Sequence, residues 1–375
     1  FIEHSENHNQ SGRKTNINIM GVGQSIRPSP FGGQKMINET IPHLRYLIAG
    51  KLRRDYVLLP NGKAINNSLG GSLIHSAVGA AIWEKDIGLV SRVGSDIPAE
   101  WIELIARAGF DIRGIHRTAD IPNSLFFASF PDLDTRTHSE PFRHYQHAHH
   151  PFPKALVGYV HADSTIDSRT QASAYTLKTS DLPADYLDST AAHIAPLDFL
   201  THSLLPSALR QGHINTITLD PNSSYMNPTF WDDIPDILTG VTAFLTSEEK
   251  IRSLFHGRSN DLWEMSEVIG SYGCEMVVIK RGSRGQYLYD HPGRSRWVIP
   301  AYPARAVNPI GAGDAFCGGF LAGYRSRYNP LEAALFGNIS ASMVIEGMFP
   351  LFALDALPNL ATARLDFLRN TAQKA

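Results

Sequence analysis

Short strand-like segments and helical segments alternate along most of this chain. The strand-like runs are apolar and lie at residues 46–49, 56–59, 88–93, 125–130, 191–195, 216–219, 243–246, 276–280, 286–289 and 296–299. Helical patterns lie between them, at residues 73–83, 99–108, 200–210, 248–254, 262–272, 315–325 and 331–346. Strands that alternate with helices predict an α/β fold with a doubly wound, mostly parallel sheet. Ligands of such folds lie outside the carboxyl ends of the strands.

Two segments do not follow this alternation. Residues 1–44 are polar and irregular, and we expect them to form a poorly ordered N-terminal extension, with Met36 as a plausible start of the protein proper. We expect the α/β domain to occupy residues 45–375. Residues 132–169 are rich in His, Pro, Asp and Thr and show little periodicity, which is typical of a functional loop or an insertion.

Composition excludes several classes of protein. Of the 375 residues, 43% are hydrophobic and 19% are charged, which is ordinary for a globular protein and excludes collagen, coiled coil and wholesale disorder. The net charge is −2, so neither nucleic acid nor an anionic membrane is an expected partner. Two cysteines cannot form a disulfide framework, and no apolar run reaches the roughly 18 residues of a spanning helix. We therefore expect a soluble cytoplasmic enzyme.

The segment with the clearest chemistry is residues 307–320, which read VNPIGAGDAFCGGF. In it a turn of small residues, Gly311-Ala312-Gly313, leads directly into a helical pattern. The bare backbone N–H groups of such a turn and the helix dipole favour an anion. Asp314 follows at the helix start, where a carboxylate can take a proton from an attacking hydroxyl. The alternative is an ordinary glycine turn with Asp314 as the N-cap, and the residues alone leave both open.

This segment resembles the C-terminal signature of the PfkB carbohydrate kinases, the ribokinase-like family. Residues 69–77 (LGGSLIHSA) are similar to the family's di-glycine signature, and residues 280–285 (KRGSRG) to its nucleotide loop. Weaker matches, in family order, are Asp55 after the first strand, Asp220-Pro221-Asn222 in mid-chain and Asn338 in a late helix. Together they cover about residues 46–346.

The resemblance implies a three-layer α/β fold with a small β lid, whose strands we expect near residues 51–59 and 124–130. It implies ATP-dependent phosphoryl transfer to a hydroxyl of a sugar, sugar phosphate or nucleoside, with ATP and Mg²⁺ as cofactors, and a homodimer through the lid. The implied residues are a catalytic base at Asp314; an anion hole at Gly311, Ala312 and Gly313; substrate contacts at Asp55, Gly70, Gly71 and His75; and nucleotide contacts at Lys280, Gly282, Gly285 and Asn338.

The chain departs from the family pattern around the cation. Asn308 stands where the signature has Asp, so its help to a cation should be weaker. Ser247 and Lys250 replace the ends of the family's Asn-x-x-Glu, and a lysine cannot hold a metal-bound water, although it could meet a phosphate. The remaining metal candidates are Asn308 and Glu249. The interpretation is a kinase with an atypical cation site; the alternative is a catalytically impaired protein of this fold that binds nucleotide or a partner.

Other clusters favour ordinary roles. Four histidines lie within residues 144–150 without a local Cys or carboxylate set, so we expect a solvated loop and not a metal site. Arg53 and Arg54 beside Asp55 could clamp a sugar phosphate, but a lid surface is the favoured interpretation.

Overall fold

The central element is a ten-stranded sheet in the computed structural model, which describes residues 43–121, 123–161 and 167–375. In sheet order the strands are β13 (Gln373–Lys374), β12 (Ser295–Ile299), β11 (Gln286–Asp290), β10 (Met276–Lys280), β9 (Ala243–Ser247), β8 (Thr216–Leu219), β7 (Ala191–Ile194), β1 (Tyr46–Ala49), β4 (Ile87–Val93) and β5 (Asp111–Arg117). The strands from β10 to β5 pair in parallel, and β11, β12 and β13 add an antiparallel edge. The mostly parallel sheet predicted from the sequence is confirmed.

Helices cover both faces of this sheet. They are α1 (Ser72–Ala81), α2 (Ala99–Arg107), α3 (Pro141–His147), α4 (Phe199–Arg210), α5 (Ile234–Leu238), α6 (Glu248–Leu254), α7 (Leu262–Ser271), α8 (Ala312–Arg327), α9 (Pro330–Val344) and α10 (Leu360–Arg369). Side chains of β1 alternate between two cores: Ile48 packs with α1, α2, α8, α9 and α10, and Leu47 with α4, α5, α6 and α7. Strands buried on both faces read as continuous apolar runs, which is why the sequence marked them.

Two helices of the first core, α1 and α8, touch through their backbones. A Cβ added to Gly79 would lie 2.1 Å from the carbonyl oxygen of Ala315, and one added to Gly318 would lie 1.8 Å from that of Ser76. Only glycine allows this approach, because any side chain would have to occupy the same space. The two helices are therefore held at a fixed separation.

A second, three-stranded sheet lies apart from the first, with the order β3 (Ala64–Gly70), β2 (Arg53–Leu58), β6 (Leu125–Ser129). Strand β2 is antiparallel to β3 and parallel to β6. One face packs on Ile310 and Met348, beside the start of α8. Strands β2 and β6 lie where we predicted the lid strands, whereas β3 was not predicted. The role of this small sheet as a lid stays a prediction.

The other face of the small sheet is covered by the region of residues 132–169. Tyr56, Leu58 and Phe127 pack there against Tyr145 of α3 and Leu156. Within this region residues 141–147 form a helix and Lys154–Leu156 a turn of 3₁₀ helix, and its interpretation as a functional loop or an insertion stays a prediction. Homodimerisation through the lid stays a prediction, and it would have to use a surface other than this covered face.

The predicted N-terminal extension, residues 1–44, lies almost entirely outside the residues that the structure describes. The described residues belong to one compact unit, which spans residues 41–375. Among the helices that the structure describes, none is long and apolar enough to cross a membrane. Four strands and α-helices besides β3 and α3 were not predicted: the edge strands β5 and β13 and the helices α5 and α10.

Candidate active site

The start of α8 presents bare backbone to the small sheet side of the molecule. Gly311 is the N-cap residue, in the left-handed conformation at φ 79°, and no side chain caps the helix. Gly311, Ala312 and Gly313 are partly or fully exposed. Asp314 lies in the first turn, so the alternative in which Asp314 is the N-cap is wrong. The Ala312 N–H lies 3.4 Å from the Pro309 carbonyl oxygen, and the partly exposed backbone around it, at the positive end of a 16-residue helix, forms a site for an anion.

The di-glycine segment reaches the same place through His75. This residue lies in α1, is buried, and its Nδ1 is 2.9 Å from the carbonyl oxygen of Gly71. Its ring lies against Gly311, because a Cβ on Gly311 would be only 2.0 Å from the His75 Cδ2. Gly71 is itself the N-cap residue of α1. The two glycine segments of the sequence are thus neighbours in the fold.

Asp55 of β2 is a buried carboxylate with an oxygen that has no hydrogen bond. Its side chain is 3% exposed, Oδ1 has no partner, and the Arg53 Nε lies 3.6 Å away. Its other oxygen lies against Gly70, where a Cβ would be 2.0 Å from Oδ2. Burial raises the pKa of Asp55, the charges of Arg53 and His75 oppose this, and the charge of Asp314 adds to it. Asp55 thus lies near His75 and Asp314, whose charges act on its carboxylate.

An aromatic group lies next to Asp55 on the small sheet. The Arg53 guanidinium lies 3.7 Å from the centre of the Phe126 ring, and its Nε is buried without a hydrogen bond. Phe126 contacts His138 and His161, whose rings are stacked with centres 4.4 Å apart. Burial lowers the pKa of His138 to about 4, so this ring is neutral at pH 7. Arg53 is thus engaged by Asp55 and Phe126, and the interpretation of Arg53 and Arg54 as part of a lid surface stays a prediction.

A cluster of buried charges lies on the other side of the α8 terminus. The carboxylate of Asp220 receives the Lys250 Nζ at 2.8 Å and the Lys280 Nζ at 2.5 Å. Lys280 also lies 3.2 Å from the Gly313 carbonyl oxygen and 3.1 Å from the Cys317 Sγ. Although burial opposes it, the two ammonium groups lower the pKa of Asp220 to about 2, and Asp220 in turn raises the pKa of Lys280.

The residues predicted for Mg²⁺ do not fit a protein-held metal ion. Asn308 uses its Oδ1 to accept from the Ile310 N–H and its Nδ2 to donate to the Met348 carbonyl oxygen. The Glu249 side chain is 80% exposed and lies 3.8 Å from Arg136. Within residues 43–121, 123–161 and 167–375, no three His, Cys, Asp or Glu side chains are grouped to hold a metal ion.

The predicted nucleotide loop is a tight turn between β10 and β11. Residues Gly282–Arg284 form one turn of 3₁₀ helix, and Gly285 follows with φ 79°. The Ser283 N–H and hydroxyl donate to the Asp134 carboxylate at 2.9 and 2.6 Å, so the residue 132–169 region touches this loop.

Asn338 holds the segment that follows β12. Its Oδ1 accepts from the Tyr302 N–H at 2.9 Å, and its Nδ2 donates to the Pro300 carbonyl oxygen at 2.7 Å and to the Gln286 side chain at 3.2 Å. These bonds position residues 300–302 beside the nucleotide loop. A direct contact between Asn338 and nucleotide stays a prediction.

The sequence had a signal for the Asp220 cluster that we did not use for the site. Asp220 follows β8, Lys250 follows β9 by three residues, and Lys280 ends β10. These strands are neighbours in the parallel part of the sheet. Carboxyl ends of parallel strands meet at one edge, so their polar residues were candidates for one site. Cys317, by contrast, had no sequence signal that separated it from ordinary helix residues, and Arg53 was considered as a phosphate clamp but interpreted as part of a lid surface.

Comparisons with known proteins agree with this geometry. The family model for pfkB family carbohydrate kinases matches residues 168–349. The cytidine kinase of Thermococcus kodakarensis is 27% identical over 292 residues, which are 77% of this chain and 91% of that protein. The 5-dehydro-2-deoxygluconokinase of Clostridium perfringens is 23% identical over 302 residues, 76% of this chain and 81% of that protein.

Solved structures share the fold at low identity. A ribokinase II from E. coli, solved with ATP and Mg²⁺, has a TM-score of 0.62 at 17% identity, covering 87% of this chain and 99% of its own. A Burkholderia thailandensis nucleoside kinase, solved with inosine, has a TM-score of 0.62 at 16% identity, covering 88% of this chain and all of its own. The family match and the fold agree with the resemblance seen in the sequence. Residues 168–349 of the chain match the family model of pfkB family carbohydrate kinases, and the chain has the ribokinase-like fold.

Proposed function

We propose that this kinase transfers the γ-phosphoryl group of ATP to a hydroxyl on the sugar of a nucleoside. The observation that carries the proposal is the buried Oδ1 of Asp55, which has no hydrogen bond although the Arg53 Nε lies 3.6 Å away, near His75 and Asp314. A buried carboxylate oxygen without a partner is costly unless a ligand supplies a donor. Sugar hydroxyls are such donors.

Asp314 acts as the base in this proposal. It takes the proton of the acceptor hydroxyl as that oxygen forms its bond to the γ-phosphorus. The bond between this phosphorus and the oxygen that bridges to the β-phosphate breaks, and ADP leaves with the electron pair. Such transfers depend mainly on positioning and electrostatics. The amides at Gly311, Ala312 and Gly313 hold the phosphoryl oxygens, as an anion hole does.

The acceptor lies between the small sheet and α1. Asp55 accepts sugar hydroxyls, Gly70 and Gly71 let the sugar approach the backbone, and His75 borders the floor beside Gly311. The small sheet closes over it as the lid of a kinase domain that begins near residue 45. Phe126 is buried, and the partly exposed rings of His138 and His161, stacked beside it, offer flat surfaces for a nucleobase. This aromatic group is the reason to favour a nucleoside over a simple sugar, and the match to a cytidine kinase supports it.

ATP lies on the side of the site that holds the nucleotide loop, residues 280–285. Gly282 and Gly285 shape the loop that contacts the phosphates of ATP, and the Lys280 side chain extends to Gly313. Asn338 holds residues 300–302 in place beside the adenine of ATP. The open Gly313 backbone fits a phosphate group, because a Cβ there would meet nothing nearer than the Lys280 Nζ at 3.6 Å.

The test is ADP release from ATP across a matched panel of acceptors. The panel contains cytidine, inosine, ribose, fructose, 5-dehydro-2-deoxygluconate and a sugar phosphate, each at several concentrations. We expect the highest kcat/KM with a nucleoside. Turnover only with free sugars or sugar acids would overturn the nucleoside assignment. ATP binding by calorimetry without turnover of any acceptor would favour the alternative of a catalytically impaired protein.

A further inference from the structure

We propose that Lys250 and Lys280, held together by Asp220, are the cations that neutralise the transferred phosphoryl group in this protein, in place of a carboxylate-held divalent ion. The inference deepens the proposed function and rests on it. The chemistry calls for a cation beside the phosphates, whereas Asn308 is held by two hydrogen bonds and the Glu249 side chain is 80% exposed, 3.8 Å from Arg136.

The three side chains form a built cluster and not a surface ion pair. Exposed fractions of their side chains are 3% for Asp220, 12% for Lys250 and 11% for Lys280. Each oxygen of Asp220 receives one ammonium group. Lys250 also donates to the Pro221 carbonyl oxygen at 2.6 Å. Positions this well defined are what preorganised electrostatic stabilisation requires.

The cluster carries a net positive charge. Two ammonium groups and one carboxylate sum to +1, and the low pKa of Asp220 keeps the carboxylate ionised at pH 7. A buried net charge is unfavourable by itself and is relieved by an ion of the opposite sign nearby. An ATP phosphate is such an ion, and buried cations act on it strongly because little water screens them.

The Lys280 end of the cluster lies beside the proposed phosphoryl position. The Lys280 Nζ is 3.2 Å from the Gly313 carbonyl oxygen, inside the first turn of α8. The charge of Asp314 is close enough to raise the pKa of Lys280, after the larger effects of Asp220 and Cys317. When Asp314 takes the acceptor's proton it loses that charge. The lysine charge then acts on the phosphoryl group without competition, at the moment when charge moves onto the leaving oxygen.

The experiment measures ATP affinity by calorimetry in EDTA and again in Mg²⁺, using the full chain. Wild-type protein should bind ATP in EDTA with a Kd within about tenfold of its Kd in Mg²⁺, because its own cations do the neutralising. Lys250→Met lowers the cluster charge to 0 and should raise the Kd in EDTA about tenfold, the effect of one charge-assisted contact. The control is Lys85→Met, which removes the same charge from an exposed site and should leave the Kd unchanged.

Two further variants separate charge from folding. Lys250→Arg keeps the charge and should keep the affinity. Lys250→Met combined with Asp220→Asn returns the cluster to +1 through Lys280 alone, and it should recover most of the lost affinity. If the double variant binds ATP as weakly as Lys250→Met, the cluster is only structural and the proposal is wrong.

The outcomes also separate this inference from the proposed function. Wild-type binding of ATP only in Mg²⁺, with Lys250→Met unchanged there, would overturn the lysine proposal and leave the kinase assignment standing. A folded wild-type protein that binds no ATP in either buffer would overturn both.

Discussion

The two sides of the candidate site differ in how their polar groups are satisfied. On the acceptor side, the Asp55 Oδ1 and the Arg53 Nε are buried without hydrogen bonds. On the phosphate side, Asp220 is bonded by both Lys250 and Lys280. The acceptor side is therefore incomplete until a ligand donates to it, whereas the phosphate side has its charges arranged by folding. Mutations on the acceptor side should therefore weaken substrate recognition alone, and mutations on the phosphate side should weaken charge neutralisation alone.

The largest effect is expected at Asp314, which lies between the two sides. Asp314→Asn keeps the shape of the side chain and removes the base, so kcat should fall by about 10²–10⁴-fold. ATP affinity and Tm should change little, because Asn is tolerated at a helix start. Measuring kcat, ATP Kd and Tm on one preparation checks this. Unchanged turnover would show that Asp314 is not the base.

Asp55→Asn tests whether the acceptor side acts alone. The KM of the acceptor should rise by roughly 10–100-fold, since hydrogen bonds to a charged group contribute about 1.5–3 kcal/mol. The Kd of ATP should not change. Because burial raises the pKa of Asp55, its ionised form costs folding free energy at any pH above the ordinary carboxyl pKa. The variant should therefore have a Tm at pH 7 no lower than wild type, and a rise in ATP Kd instead would break the separation of the two sides.

Two glycine variants in the turn before α8 distinguish a contact with the acceptor side, at Gly311, from one with the phosphate side, at Gly313. Gly311→Ala should lower the stability by about 2 kcal/mol, because its φ of 79° strains an L-residue and its Cβ would meet the His75 ring. Gly313→Ala is the matched control within the same turn: its Cβ has room, so Tm should hold or rise while ATP binding weakens. Thermal melts and ATP titrations of both variants decide it. Equal Tm losses would contradict the assigned contacts.

The smallest effect is expected at Asn308. Asn308→Asp replaces an N–H donor by an oxygen that faces the Met348 carbonyl oxygen, and it should cost about 1 kcal/mol of stability. Added Mg²⁺ or a monovalent cation should restore the Tm if it can lie between the two oxygens. Tm is to be measured across a cation series, with wild type as the reference. A variant with wild-type Tm in EDTA would show that the amide has no such role.

The large sheet could be predicted because its strands are buried on both faces. Strand β3 could not, since Asn66 and Asn67 are exposed and polar and give no apolar signal. Strand β5 lies at the edge of the sheet and has few fully buried positions, so it also gives no apolar signal in the sequence. The start of α8 was placed three residues late because Gly311 and Gly313 mask a helix in sequence.

The candidate site could be predicted as a set of residues but not as a set of contacts. Asp314, His75 and Asp55 came from the sequence, and the structure brings them to one region. The pairing of Lys250 with Asp220 could not be predicted from the sequence, because it depends on which strands are neighbours in the sheet and not on spacing along the chain. Likewise the bond from Asn308 to Met348 joins residues 40 positions apart.

The backbone contact between α1 and α8 has a mechanical consequence. His75 lies on one of these helices and Asp314 on the other, and Gly79 and Gly318 leave no gap that could widen or close between them. The proposed base and the floor of the acceptor site therefore travel as one stiff block during turnover. The predicted lid movement would therefore have to come from the three-stranded sheet. In this proposal the direction from Asp314 to the acceptor hydroxyl is fixed by folding, and ligand binding only places the acceptor and ATP along it.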